Sequence, residues 1–106
     1  MRYWWVSQNQ TYRHEVLGQY MWSPKRDKTG GRVAAYDRMT AVQPGDVVFS
    51  FADTYIKAVG VAITDAQDCP KPEEFGSSGS YWDNDGWLVE VAFQELKSPI
   101  QPRNHM

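Results

Sequence analysis

The sequence has a single cysteine, no long hydrophobic run and no large excess of charge of either sign. Cys69 has no second cysteine to pair with, so an internal disulfide scaffold is excluded and a reducing, cytoplasmic setting is expected. No apolar run approaches the roughly 18 residues that a membrane-spanning helix requires. The net charge of −2 is not that of a general polyanion binder. These shortages leave a folded globular domain as the expected class.

Motifs for catalysis and for metal binding are also missing. Neither of the two histidines forms a ligand spacing with Cys69, and a zinc site needs clustered ligands. Gly30-Gly31 lacks the lysine and the spacing of a phosphate-binding loop. Asp83 and Asp85 lie in a turn-like segment, where carboxylates support turns more often than acid–base catalysis. The sequence therefore predicts a domain without catalytic residues, metal or cofactor.

Aromatic side chains are abundant: five Trp, six Tyr and four Phe in 106 residues. Several lie beside polar or turn residues, among them Trp22 before Ser-Pro and Trp82 before Asp-Asn-Asp-Gly. Core rings more often lie within apolar alternation, so these positions suit stacking on a flat ligand. Packing at the rim of a small barrel is the structural alternative, and for any single ring the two interpretations have equal support.

Positive charge is concentrated in residues 24–40, where five basic and two acidic residues give a local charge of +3. The remainder of the chain therefore carries −5. A basic loop on an acidic body favours a limited phosphate contact beside a specific pocket. A solvated loop is the alternative. The candidate phosphate contacts are Lys25, Arg26, Lys28 and Arg32.

Periodicity predicts an α+β domain with five or so strands and short helices. Strands are expected at 2–7, 19–22, 47–51, 55–64 and 87–96. Helical segments are expected at 12–17 (capped by Thr11), at 33–42 and as a turn at 72–75. Gly60 predicts a bulge or bend within its strand, and 65–85 reads as a long irregular segment of the kind that often binds ligands. Residues 1–98 are expected to form the domain and 99–106 the start of a linker.

Asp53 follows the apolar strand VVFSF, where its side chain could point into the mouth of a barrel. Its carboxylate is the candidate acid that would give an aromatic pocket its specificity for a base. A carboxylate there accepts a hydrogen bond from the exocyclic amine of cytosine, while Trp22 stacks on the base and contacts a methyl group. Such a base must leave the duplex at a cost of a few kcal/mol, and stacking returns about 1–3 kcal/mol. Phosphate contacts from the basic loop would supply the balance. The alternative role for Asp53 is that of a hairpin residue capping Tyr55.

Five motifs occur in an order that covers nearly the whole chain. They are Tyr3-Trp4-Trp5, the isolated Trp22, Pro44-Gly45-Asp46 leading into VVFSF, the strand VGVAI, and Trp87-Leu88-Val89-Glu90-Val91. In this order they resemble the EVE domain, a branch of the PUA-like superfamily related to the YTH and SRA base readers. The segments QNQTYRHEV, YMWSPKR, GDVVFSFADT and KPEEFG are similar to the N-terminal domain of EVE–HNH endonucleases, bacterial enzymes that restrict DNA containing modified cytosine.

The resemblance implies a small PUA-like β-barrel of five to six strands with two or three short helices. It implies that 5-methyl- or 5-hydroxymethylcytosine in double-stranded DNA flips into an aromatic pocket, and that a separate C-terminal HNH domain cuts. Carried over by position, the pocket consists of Trp22, Asp53, Trp82, Ser7, Gln8 and Asn84. The chain has Val6-Ser7-Gln8-Asn9 where a typical EVE opening has a Lys-Ser-Glu-Pro-like stretch, so the ligand is open at this point.

Two other functions stay open on sequence grounds. One is an RNA-binding PUA-like domain that reads a modified base such as N6-methyladenine, for which three rings rather than an acid form the usual cage. The other is a small-molecule or protein-interaction module with no nucleic acid. Replacing Asp53 by Asn is expected to weaken a cytosine reader more than an adenine cage. The sequence predicts no oligomeric state.

Overall fold

A computed structural model describes residues 1–26, 38–78, 82 and 84–102. They form a curled, half-barrel mixed sheet with one α-helix and two short 3-10 turns, which confirms the α+β class. The strands are β1 (Tyr3–Ser7), β2 (Tyr20–Pro24), β3 (Val47–Ala52), β4 (Tyr55–Ala62), β5 (Gln67–Pro70) and β6 (Asp85–Ile100); the helix is α1 (Tyr12–Gly18), and the 3-10 turns are Arg38–Ala41 and Glu73–Phe75. No helix in this described part is long and apolar enough to cross a membrane.

The sheet has the strand order β1-β3-β4-β6-β2, and β5 pairs with β6. The β1–β3 pair is parallel, and the other pairs are antiparallel. The long β6 joins two halves of the sheet, because its first residues pair with β2 and β5 and its later residues with β4. Alternate residues of these strands point inward, so Val48, Ala58, Val89 and Val91 are fully buried and form the centre of the core.

The β3–β4 hairpin turns at Asp53 and Thr54, as the sequence predicts. Both residues have positive φ angles, 54° and 69°, which are the angles of a tight hairpin turn. The pairing register shifts between Ser50 and Phe51, which pair with Ala58 and Ile56. Lys57 is therefore the extra residue of a β-bulge.

Gly60 lies in regular register, so the predicted bulge at this position is wrong. A Cβ atom there would lie 2.5 Å from Cγ1 of Val91 and 2.8 Å from Cδ1 of Phe93, both on β6. Glycine is needed because the side chains of Val91 and Phe93, on the neighbouring strand β6, occupy the space that a Cβ atom would take.

Replacing Gly60 by Ala is expected to lower the free energy of unfolding by about 1–3 kcal/mol, since the added methyl group overpacks the β4–β6 contact. Urea unfolding followed by circular dichroism measures this loss. Gln94→Ala, at an exposed position of β6, is the control and should change stability by less than about 0.5 kcal/mol. Equal effects of the two substitutions would contradict the packing account of Gly60.

Several element boundaries differ from the sequence-based expectation. Of the helix expected at 33–42, residues 38–41 form a 3-10 turn, because Pro44 disfavours helix just before it; 33–37 lie outside the described residues. The segment 65–85 contains β5, a four-residue strand too short to show periodicity, whereas the turn near 72–75 is confirmed. β6 continues to Ile100, which pairs with Ile56, beyond the boundary expected at residue 98.

Candidate functional site

Four aromatic rings from three parts of the chain meet at one end of the sheet, and we call them the ring cluster. Tyr20 and Trp22 come from β2, Phe75 from the second 3-10 turn, and Trp82 from the segment before β6. The Trp22 ring centroid lies 5.8 Å from that of Phe75 and 6.2 Å from that of Trp82, and Phe75 and Trp82 are 6.4 Å apart. Three of the rings are buried, whereas Trp82 is half-buried and forms the outer wall.

Trp22 is the inner wall of the ring cluster. It is 5% exposed, its indole Nε1 donates a hydrogen bond to the carbonyl of Cys69 at 2.9 Å, and its ring lies against the backbone of Gly86. A Cβ atom on Gly86 would lie 2.3 Å from Cζ2 of Trp22, so only glycine permits this contact. Trp22 and Trp82 are therefore brought together as predicted, but Trp22 itself presents little surface for a ligand.

A buried polar network holds the backbone of Trp22. Oε2 of Glu15 accepts hydrogen bonds from the Trp22 backbone N–H at 3.0 Å and from Nε2 of Gln8 at 2.7 Å. The hydroxyl of Thr11 donates to Oε1 of Glu15, and that of Ser50 to Oε1 of Gln8. Burial raises the pKa of Glu15 to about 7, against the opposing effect of its three hydrogen bonds.

Two predictions change because of this network. Gln8 was expected to contact the base, but it is 2% exposed and supports Trp22 through Glu15. Thr11 was expected to cap α1, but its hydroxyl bonds the Glu15 side chain and makes no capping bond. The neighbouring Ser7 is exposed and accepts a hydrogen bond from Nδ2 of Asn9 at 3.3 Å.

An acid that sequence reasoning missed lies at the rim of the ring cluster. The Tyr20 hydroxyl donates to Oε2 of Glu74 at 2.7 Å, and this bond lowers the pKa of the Glu74 carboxyl. The carboxylate is exposed and adjoins Phe75 in the chain. Its only signal in the sequence is the segment KPEEFG, in which nothing distinguishes Glu74 from Glu73 before the fold is known.

A cavity of about 380 Å³ lies between the end of β1, the start of α1 and the β3–β4 hairpin. We call it the polar cavity; it is lined by Asn9, Gln10, Tyr12, Arg13, His14, Asp53 and Lys57. The Asp53 side chain accepts a hydrogen bond from Nζ of Lys57 at 2.7 Å, and its backbone N–H donates to Oδ1 of Asn9 at 2.8 Å. Nζ of Lys57 also lies 5.5 Å from the ring centroid of Tyr12.

The structure separates Asp53 from the rings that it was expected to serve. Its contacts are with Asn9 and Lys57, whereas those of Trp22 are with Glu15, Cys69 and the other rings. The polar cavity and the ring cluster nevertheless adjoin, because the His14 ring centroid lies 5.9 Å from that of Phe75. Asn84, also predicted for the pocket, is exposed; its carbonyl accepts a hydrogen bond from the backbone of Lys71.

Of the four predicted phosphate contacts, Lys25 is already ion-paired and two others lie outside the described residues. Lys25 forms ion pairs with Asp68 and, at 3.5 Å, with Asp85, and its Nζ lies 4.2 Å from the Trp87 ring centroid. Its charge is therefore already compensated. Arg26 is exposed, and Lys28 and Arg32 lie outside the described residues. Within the described part of the chain, no group of three His, Cys, Asp or Glu side chains could hold a metal ion.

Comparison with known proteins gives a structural similarity only. No protein-family model and no curated protein matches the chain. Among solved structures, the chain is similar to Rpa0253 from Rhodopseudomonas palustris, determined by NMR in a structural genomics programme. The TM-score is 0.56 and the sequence identity 21%, over 95% of this chain and 67% of that one. Identity at this level shows a shared fold.

Proposed function

We propose that this chain is a PUA-like domain of the EVE type that reads a modified cytosine in DNA. The observation that carries the proposal is the ring cluster with an ionised acid at its rim, formed by Trp22, Phe75, Trp82 and Glu74. Flat aromatic walls suit a flipped base, and a carboxylate suits the exocyclic amine of cytosine. The domain itself breaks no bond; it directs an attached HNH nuclease domain to modified DNA.

In this proposal Trp82 is the ring that contacts the base. It is the most exposed member of the ring cluster, whereas Trp22 and Phe75 form a buried floor behind it. Stacking on one ring is worth about 1–3 kcal/mol, which is comparable with the few kcal/mol needed to flip a base. Hydrogen bonds and phosphate contacts must therefore supply the net affinity.

Glu74 replaces Asp53 as the acid that selects the base. Each carboxylate has one oxygen bound, Oδ2 of Asp53 by Lys57 and Oε2 of Glu74 by Tyr20. Asp53 lies in the polar cavity, whereas Glu74 adjoins the rings through Tyr20 and Phe75. The second oxygen of Glu74 is then the acceptor for the N4 amine of cytosine. A fully ionised carboxylate is the better acceptor, and the lowered pKa of Glu74 maintains that state.

The proposal predicts that Trp82→Ala abolishes the preference for modified cytosine, with a loss of about tenfold or more in affinity for the modified duplex. Fluorescence anisotropy with matched DNA duplexes, containing cytosine, 5-methylcytosine or 5-hydroxymethylcytosine, measures this. Trp5→Ala is the matched control, because Trp5 is a 60% exposed tryptophan on β1. Equal affinity of the unaltered protein for all three duplexes would refute the modified-base proposal.

Two carboxylate-to-amide substitutions then identify the selecting acid. Glu74→Gln should weaken binding of the modified duplex. One carboxylate oxygen is replaced by an NH2 group, which is a donor and cannot accept a hydrogen bond from the N4 amine of cytosine. Asp53→Asn should leave the preference for the modified base intact. The opposite result would return the selecting role to Asp53 and contradict the placement of the base at the ring cluster.

A second candidate function has one specific observation in its favour. Trp22, Phe75 and Trp82 bring three rings together without Asp53, with Trp82 the accessible one, and three rings are the expected composition of an N6-methyladenine cage. An RNA-binding PUA-like domain of this kind would prefer adenine-methylated RNA in the same assay. Its affinity would be insensitive to Glu74→Gln but would still be lost with Trp82→Ala.

A further inference from the structure

The polar cavity contains a concentration of positive charge that base reading at the ring cluster does not use. Arg13 and Lys57 line it against one acid, Asp53, and the imidazole ring of His14 lies in the same lining. The Asp53 carboxylate is 2.7 Å from Nζ of Lys57, so it compensates that charge at close range. The Arg13 guanidinium carries a further permanent charge, so the lining itself has one cation in excess. The nearby Glu95 lies behind the lining, where its Oε2 accepts a hydrogen bond from the Tyr12 hydroxyl at 3.2 Å.

Lys57 lies at the β-bulge of the β3–β4 hairpin, between Ile56 and Ala58. Both of these neighbours are buried, whereas Lys57 is half-buried and faces outward like Tyr55 and Val59. Its ammonium group lies over the Tyr12 ring and beside Asp53, at the edge of the polar cavity. Bulges are common next to binding sites.

The position of the cavity relates it to the proposed base site. Its His14 ring adjoins Phe75, at 5.9 Å between centroids, and the carbonyl of Gln10 accepts a hydrogen bond from the hydroxyl of Ser78 at 3.5 Å. The polar cavity therefore borders the ring cluster on the side of Phe75, and a DNA backbone beside a base held at the ring cluster would pass close to it. The guanidinium of Arg13 offers the paired N–H donors that match phosphate oxygens.

We infer that the polar cavity binds a phosphate group, with Arg13 and Lys57 as the charged contacts and His14 as a further donor. The source of the phosphate, the DNA backbone next to the flipped nucleotide, rests on the proposed function. This assignment moves the phosphate contact away from Lys25, which faces two acids, Asp68 and Asp85. In the polar cavity Lys57 faces one acid, Asp53, and Arg13 adds a second positive charge to the same lining.

Salt-dependent DNA binding tests the inference. In duplexes with and without 5-methylcytosine, Arg13→Gln and Lys57→Gln should each lower the affinity for DNA on the order of tenfold. Each should reduce the slope of log K against log salt by about 1. Arg2→Gln is the matched control: it removes one charge at the other end of β1, roughly 20 Å from Asn9 along an extended strand, and should change neither quantity.

A neutral methylphosphonate at the linkage beside the modified base identifies the phosphate itself. This replacement should weaken binding by the unaltered protein and have little effect on Arg13→Gln, because the contact is already lost. If both variants keep the original affinity and salt slope while the preference for the modified base persists, the cavity inference fails and the proposed function stands.

Inorganic phosphate separates the two failures. If the unaltered protein binds no DNA, the proposed function fails, and an NMR titration with inorganic phosphate decides the cavity on its own. Saturable shifts at the amides of residues 13, 14 and 57 that disappear in Arg13→Gln support a site for free phosphate. Unchanged spectra would overturn the phosphate assignment altogether.

Discussion

Raising the pH from about 4.5 to about 7 is expected to lower the free energy of unfolding through Glu15 by about 3 kcal/mol. Burial raises the pKa of this carboxyl from 4.5 to about 7 in the folded protein. Between these values the folded state keeps the proton while the unfolded state releases it. The stabilisation is therefore complete below pH 4.5 and is lost as the pH rises through about 7.

Glu15→Gln isolates this contribution. The amide oxygen can accept the same hydrogen bonds from Gln8 and Trp22, so the variant should fold, and it cannot titrate. Urea unfolding at several pH values should give curves for the two proteins that converge towards low pH and diverge by about 3 kcal/mol near pH 8. Glu73→Gln, an exposed carboxyl, is the control and should follow the unaltered protein. Parallel curves for the unaltered protein and Glu15→Gln would refute the role of Glu15.

The second large effect is expected from Trp22→Ala, which should cost about 3–5 kcal/mol of unfolding free energy. The substitution removes a 5% exposed ring from between Phe75, Trp82 and the backbone of Gly86, and it leaves the Cys69 carbonyl without its indole donor. A cavity remains in the ring cluster. Far-UV circular dichroism during urea unfolding measures the loss without depending on tryptophan emission.

Two further variants give the unfolding free energies with which Trp22→Ala is compared. Trp22→Phe keeps a ring but loses the hydrogen bond to Cys69, so its loss should be smaller than that of the alanine variant. Trp5→Ala removes an exposed tryptophan and should cost less than about 1 kcal/mol. If Trp22→Ala were no more destabilising than Trp5→Ala, Trp22 would be a ligand-facing ring and not a structural wall.

Loss of DNA binding has different causes at the buried and at the accessible residues of the site. Because Trp22 and Glu15 support the fold of the site, their removal would reduce binding through loss of structure. Trp82 and Glu74 are more accessible, and their substitutions report on ligand contact more directly.

Local features of the sequence determined much of the fold. Strand-forming residues predicted β1, a nearly continuous apolar run predicted β3, and alternation predicted β4 and β6. The link at 52–54 predicted the β3–β4 hairpin, because strand patterns and turn preferences are expressed by neighbouring residues. The short helix after β1 was likewise predicted almost to its bounds. β5 was not predicted, because a strand of four residues is too short to show a distinctive period in the sequence.

Only the tertiary structure decided the composition of the site. The β3–β4 hairpin brings Lys57 and Asp53 together in the polar cavity, and pairing of β2 with β6 sets Trp22 against Gly86. Lys25 finds its acidic partners 43 and 60 positions along the chain, at Asp68 and Asp85. Periodicity depends on near neighbours, whereas these contacts depend on strand register and on residues far away in the chain. The sequence therefore determined that rings, an acid and basic residues were available, and the packing of the sheet determined which of them meet.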